Sequence, residues 1–249
     1  MNTATRLCAS LLLGLTFAAS SALAQDKPAP KKEATPAKGE AKAEKRTGDP
    51  YPLDTCPISG KKLGSMGDPI IKVYDGREVR FCCDGCPPRF EKDIAGNLQK
   101  IDEKIIKDQL PLYPIKTSVV TGKALPEKPY DFVYGNRLVR LGAEGEKADF
   151  LKDPKKHIES LDKAAIEAQS KDFKLTKCPV SGETYGGDMG KPIEMVVAGR
   201  YIKLCCKDCK GDLEKDPAKF IAMVDEARAG KGAATGAHPE AKPDVKKDK

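Results

Sequence analysis

Three stretches of the chain alternate apolar and polar side chains around a tight turn, and each is followed by a run with helical periodicity. In "IIKVYDGREVRFC", Ile71 and Val73 are expected to pair with Val79 and Phe81 on one face, around the two-residue turn Asp75-Gly76. "YDFVYGNRLVRLG" turns at Gly135-Asn136, and "IEMVVAGRYIKLC" turns at Ala198-Gly199 with Ile202 and Leu204 facing inward. Each reads as a β-hairpin. After the first, Phe90, Ile94, Leu98, Ile101 and Ile105 recur at helical spacing, with Gly96-Asn97 expected to break the run into two helices. After the others come "DPKKHIESL" and "DPAKFIAMV", where Asp153 and Asp216 are placed to cap and Pro154 and Pro217 to take the first helical position.

These elements belong to an internal repeat. "YPLDTCPISGKKL" begins at Tyr51, "YPIKTSVVTGKAL" at Tyr113 and "FKLTKCPVSGETY" at Phe173, so Cys56, Ser118 and Cys178 mark equivalent positions. The expected organisation is an α+β chain of three tandem small modules, over residues 50–110, 111–171 and 172–230. Each has a Cys-Pro turn or its counterpart, a hairpin and a helix. His157 aligns with Phe220 inside the repeated helix, which reads as a packing position rather than a ligand.

Composition suits small units. Of 249 residues only 6% are aromatic, Trp is absent and 33% are charged, and a small module with few large apolar side chains generally needs a metal or disulfides to stay folded. The first residues, "MNTATRLCASLLLGLTFAASSALAQ", read as a signal peptide over 1–24, cut after Ala24. Its apolar run is shorter than a membrane span requires, and no later segment approaches that length. Cys8 would leave with the signal. The expected location is therefore exported, periplasmic or extracellular, where disulfides are permitted. Residues 25–49 and 231–249, rich in Lys, Ala, Pro and Glu, read as a disordered linker and a disordered tail, and the tail holds the isolated His238. The formal net charge of +7 comes without a basic stripe interleaved with aromatics, so no nucleic-acid partner is expected.

Cysteine usage changes the picture most. The first module holds Cys56, then Cys82, Cys83 and Cys86 in "FCCDGC"; the third holds Cys178, then Cys205, Cys206 and Cys209 in "LCCKDC". The hairpin lies in each gap and can return the chain, bringing the first thiol beside the later three. The last of each set lies at a helix start, where free N–H groups and the helix dipole favour a thiolate. Pro87 and Pro88 suit that start. Neighbouring side chains at a strand end point to opposite faces, so the core ligands are expected to be Cys56, Cys82 and Cys86, with Cys83 a fourth ligand or a labile neighbour. Cys178, Cys205 and Cys209, with Cys206, are the equivalents. Thiolates of this kind take zinc or copper(I), about two ions per chain. The middle module has Ser118, Gly142, Ala143 and Glu146 in place of Cys56, Cys82, Cys83 and Cys86.

The pattern "CPISG…RFCCDGCPPRFEKD" resembles the YHS/TRASH-type family of small metal-binding modules. Phe81, Cys82, Cys86, Phe90 and Asp93 carry the resemblance in the first module; Leu204, Cys205, Cys209, Leu213, Asp216 and Pro217 carry it in the third, with Leu in place of both aromatics. The resemblance implies a treble-clef-like fold and binding of zinc or a heavy metal. Cys83 and Cys206 depart from it, standing where the family often has serine.

Two other readings use the same thiols. Disulfides could join Cys56 to Cys82 and Cys83 to Cys86. Alternatively, Cys83-Asp-Gly-Cys86 and Cys206-Lys-Asp-Cys209 are C-x-x-C pairs of redox type, though without the βαβ setting of a thioredoxin-like fold. No phosphate loop or Ser/His/Asp arrangement can be assembled. The sequence therefore points to an exported soluble binding protein rather than an enzyme. It would handle metal or be stabilised by it, possess no membrane span once the signal is removed, and present the middle module as a spacer or as a surface for a partner protein.

Overall fold

The computed structural model describes residues 45–186 and 190–230. The expected signal peptide with Cys8, the linker up to residue 44 and the tail with His238 lie outside the described residues. Each module is a two-stranded antiparallel hairpin followed by helices: β1 (Ile70–Tyr74) and β2 (Arg77–Phe81), then α1 (Pro87–Phe90) and α2 (Ile94–Gln109); β3 (Tyr130–Tyr134) and β4 (Arg137–Leu141), then α3 (Glu146–Phe150) and α4 (Pro154–Gln169); β5 (Ile193–Val197) and β6 (Arg200–Leu204), then α5 (Asp208–Lys215) and α6 (Pro217–Arg228). The α+β reading with three repeated hairpin-and-helix units holds. Among the described residues no helix is long and apolar enough to cross a membrane.

Both central residues of every hairpin turn have positive φ: Asp75 and Gly76, Gly135 and Asn136, Ala198 and Gly199. That is the backbone of the two-residue turn whose twist matches its strands. The turn also dictates which side chains share a face. Tyr74 opposite Arg77 puts Ile70 opposite Phe81 and Lys72 opposite Val79. Ile70 and Tyr74, rather than Ile71 and Val73, therefore join Val79 and Phe81 in the first core, and Ile71 is 51% exposed. The expected break in the first helical run is also displaced. It falls at Glu91–Asp93, a 3-10 turn, and Asp93 caps α2 by accepting from the Gly96 N–H at 3.0 Å. Gly96 and Asn97 sit inside the helix because the glycine leaves room for that carboxylate. Asp153 and Asp216 cap α4 and α6 in the same way, from Lys156 and Lys219, ahead of Pro154 and Pro217.

Each module has its own apolar cluster. Tyr51, Val79, Phe81, Phe90, Ile101 and Ile105 form the first; Phe132, Val139, Leu141, Phe150 and Leu161 the second; Ile202, Leu204, Leu213, Phe220, Ile221 and Val224 the third. His157 stacks on Phe150 with ring centroids 5.4 Å apart, a packing residue.

The modules are joined at their hairpin tips. Helix α2 lies against the β3–β4 hairpin and α4 against the β5–β6 hairpin. Gln109, 2% exposed at the end of α2, donates to the Asn136 carbonyl at 2.9 Å and accepts from the Leu138 N–H at 2.9 Å. Gln169 repeats the clamp one module on, donating to the Gly199 carbonyl and accepting from the Tyr201 N–H. Residues 46–49, assigned by composition to the linker, are tied down in the structure. Thr47 N–H donates to the Gly76 carbonyl, Asp49 N–H to the Gly135 carbonyl, and the Asp49 carboxylate accepts from Arg137 and from the Ala198 N–H. This strap thus touches all three turns. Polar composition hid it, because its side chains bond to groups far away in the chain and its backbone groups leave no mark on residue type.

Candidate metal centres

Local geometry prepares the first thiol. In the first module the Cys56 N–H donates to the Lys61 carbonyl at 2.8 Å while its own carbonyl accepts from the Gly60 N–H at 2.9 Å, closing a knuckle that needs positive φ at Gly60. Cys178 makes the same pair of bonds, with Glu183 and Gly182. The second thiol follows directly on the hairpin: Cys82 comes after Phe81, the last residue of β2, and Cys205 after Leu204, the last of β6. The third sits at a helix start. Cys86 is the N-cap of α1, and Cys209 is the second residue of α5.

These three approaches converge. The Sγ atoms of Cys56, Cys82 and Cys86 all lie within 4.8 Å of one another and are buried, and the same is true of Cys178, Cys205 and Cys209. The Cys82–Cys86 separation is 3.8 Å and the Cys205–Cys209 separation 3.6 Å. Thiolates bound at about 2.3 Å around a tetrahedral centre stand about 3.8 Å apart. A disulfide needs about 2.05 Å. All eight cysteines among the described residues are free, and the Sγ separations among Cys82, Cys83 and Cys86, and from Cys209 to Cys205 and Cys206, 3.6–3.9 Å, are all far beyond that bond length.

Cys83 and Cys206 stand beside the triads on the solvent side, half-buried where the others are buried. Cys83 Sγ is 3.6 Å from Cys86 and 3.9 Å from Cys82, and Cys206 Sγ is 3.6 Å from Cys209. Sequence reasoning did not single out Ser59 and Ser181. Their hydroxyls lie 3.1 Å from Cys82 Sγ and 3.2 Å from Cys205 Sγ. The signal was the serine repeated in "CPISG" and "CPVSG".

The thiols are electrostatically unequal. Burial pushes Cys56 up, but hydrogen bonds from the Ser59 hydroxyl and from the backbone N–H groups of Cys82, Ser59 and Ile58 outweigh it and bring the thiol down to about 6. Cys178 is lowered likewise, burial being outweighed by donors at Ser181, Cys205 and Val180. The helix start does not make Cys86 the ready thiolate that its position suggests, because burial, then thiol neighbours that bond the neutral form, push it up to about 12. Cys209 is raised for the same reasons. The leading thiol of each cluster is thus favoured in its thiolate form, and a cation is the natural means of holding more than one charge in so small a buried space.

The middle module shows what replaces the thiols. Glu146, the first residue of α3, folds its carboxylate back into the gap. The Ser118 hydroxyl donates to it closely, the Gly142 N–H donates at 3.2 Å, and the Thr121 hydroxyl donates at 3.4 Å. Thr121 is the counterpart of Ser59 and Ser181. The same knuckle persists, with Ser118 N–H donating to the Lys123 carbonyl and Gly122 N–H to the Ser118 carbonyl.

The fold and these clusters define the class: an α+β protein of three hairpin-and-helix modules, two of which carry a buried cysteine triad able to hold a metal ion. Compared with protein-family models, with curated proteins and with solved structures, the chain gives no match.

Proposed function

We propose that this protein is an exported carrier of a thiophilic metal ion, zinc or copper(I), that takes one ion in each of the Cys56/Cys82/Cys86 and Cys178/Cys205/Cys209 triads, and that its modules are divergent members of the YHS/TRASH type. The observation that carries the reading is the middle module. It has the same knuckle, the same five-residue strands and its own aromatic core, with a hydrogen-bonded carboxylate where the others have sulfur. A scaffold that forms around Glu146 and Ser118 does not depend on thiolate–metal bonds for its architecture. That favours the ions of the outer modules as cargo over purely structural zinc. The knuckle, hairpin and helix order, with the last thiol at a helix start, supports the family resemblance. The middle module, clamped between its neighbours by Gln109 and Gln169, serves as the spacer.

Elemental analysis of the purified protein with a thiol count tests the reading. The expected result is about two ions per chain, released by a strong chelator with the far-ultraviolet circular dichroism retained. Metal-free protein with all its thiols oxidised would replace the reading with disulfide staples. Loss of the fold on chelation would replace it with structural zinc.

A further inference from the structure

The two cysteines outside the triads have no role in holding an ion as described, yet they occupy the same place in both modules. Cys56, Cys82 and Cys86 are 0%, 1% and 2% exposed, and Cys178, Cys205 and Cys209 are also buried. An acceptor approaching from solvent meets none of these sulfurs. Cys83 and Cys206 are the half-buried sulfurs of their clusters. Each stands 3.6 Å from one and the same kind of partner, the helix-start thiol Cys86 or Cys209. Backbone geometry fixes the pair, because the Cys86 N–H donates to the Cys83 carbonyl at 3.1 Å and holds the two residues in one turn. The middle module lacks the triad and has Ala143 at this position.

Resting on the proposed cargo function, we propose that Cys83 and Cys206 are exchange thiols, through which a metal ion enters and leaves the buried triads. On release, the Cys83 thiol gives its proton to solvent as its sulfur bonds the ion. The bond from Cys86 breaks, and that sulfur takes a proton from solvent, so charge and electron pairs balance and nothing is oxidised. The ion is then held partly by a sulfur that a thiol-bearing acceptor can reach, and the acceptor's sulfur displaces the remaining ligands in turn. Loading runs in reverse. The C-x-x-C of each module is on this account a transfer pair rather than a disulfide pair.

The test is the double variant C83S/C206S loaded with Cu(I). Loading is measured by elemental analysis, affinity by equilibrium competition with bicinchoninate, and transfer by stopped-flow mixing with excess bicinchoninate. Expected are an unchanged stoichiometry, an affinity within about threefold of wild type, and transfer slowed by about tenfold or more. Unchanged transfer kinetics would overturn the proposal. So would an affinity loss as large as the rate loss, which would make these cysteines full ligands. If wild type takes up neither Cu(I) nor zinc and C56S/C178S behaves identically, the cargo reading itself fails, a result distinct from both.

Discussion

Glu146 is the residue on which the comparison of modules turns. Its carboxylate accepts from Ser118, Gly142 and Thr121, the charge-assisted bonding that a small polar gap requires. Replacing the gap's polar set with thiols should convert the middle module to the type of its neighbours. In the triple variant S118C/G142C/E146C, elemental analysis is expected to find about three ions per chain instead of about two. A Cβ at Gly142 would meet Glu146 Oε1 at 2.8 Å, a contact removed in the same variant. A count that stays at two would show that the middle backbone does not bring the three positions together. Glu78 is a second residue with a measurable consequence. Burial raises its carboxyl, but the Tyr51 N–H and the Arg46 and Arg80 guanidiniums outweigh that and hold it below the ordinary value. A depressed carboxyl contributes stability above its unfolded pKa, about 4.3, that is lost as the pH falls through the lower folded value. Urea midpoints measured from neutral pH downward should therefore drop more steeply for wild type than for E78Q, with the difference confined to the acid side.

At the scale of elements, the hairpin turns are the surprise. Two-residue turns usually sit at the surface, yet Asn136 and Ala198 are fully buried, because the tips meet one another and the strap at 46–49. Gly135 has φ +52, and an added Cβ would lie 2.5 Å from the Thr47 carbonyl oxygen. Gly122 has φ +69 with open space around it. Gly122→Ala should therefore cost about 1 kcal/mol for the backbone conformation alone. Gly135→Ala should cost about 3 kcal/mol, since the strap must also move. Equal urea midpoints for the two variants would contradict the close packing of strap and turn. Behind each turn stands an arginine paired with a helix carboxylate: Arg77 with Asp102, Arg137 with Asp162 at 2.7 Å, and Arg200 with Asp225 at 2.8 Å. The spacing of Arg137 to Asp162 equals that of Arg200 to Asp225. The repeat is visible in the chain as this equal spacing, but which charges it pairs is decided by the packing of helix on hairpin.

For the whole molecule, the clamps make three small cores into one body. Gln109 satisfies a buried carbonyl and a buried N–H of the next module. Gln109→Ala would leave both unpaired and should cost about 2–4 kcal/mol. Denaturant unfolding followed by far-ultraviolet circular dichroism should then separate into two transitions where wild type shows one. The first and third modules are also in contact, since Arg80 donates to the Glu214 and Lys215 carbonyls at the end of α5 and Arg46 bridges Glu78 and Glu214. The strand that leads to Cys82 is thus bonded to the helix that begins beside Cys209.

Local signals settled much of this protein. Alternation and turn residues placed the three hairpins, Asp-Pro pairs placed the starts of α4 and α6, and the hairpin in each thiol gap, with the parity of side chains at a strand end, pointed to the three cysteines that meet. Those features depend on residues near one another in the chain, or on one hairpin returning it. The face that Ile71 takes followed from the turn parity, and the cap at Asp93 from a glycine three residues on; both were legible and were read otherwise. What the chain could not reveal is the meeting of the three tips. It depends on Asp49, Asn136, Gln109 and Gln169 bonding to backbone groups in other modules, and a backbone N–H or carbonyl leaves no mark on residue type. Strand-end parity set Cys83 and Cys206 apart from the triads, but only the tertiary structure showed that they are the more exposed sulfurs, because exposure is decided by what packs over a sulfur and not by its place in "FCCDGC".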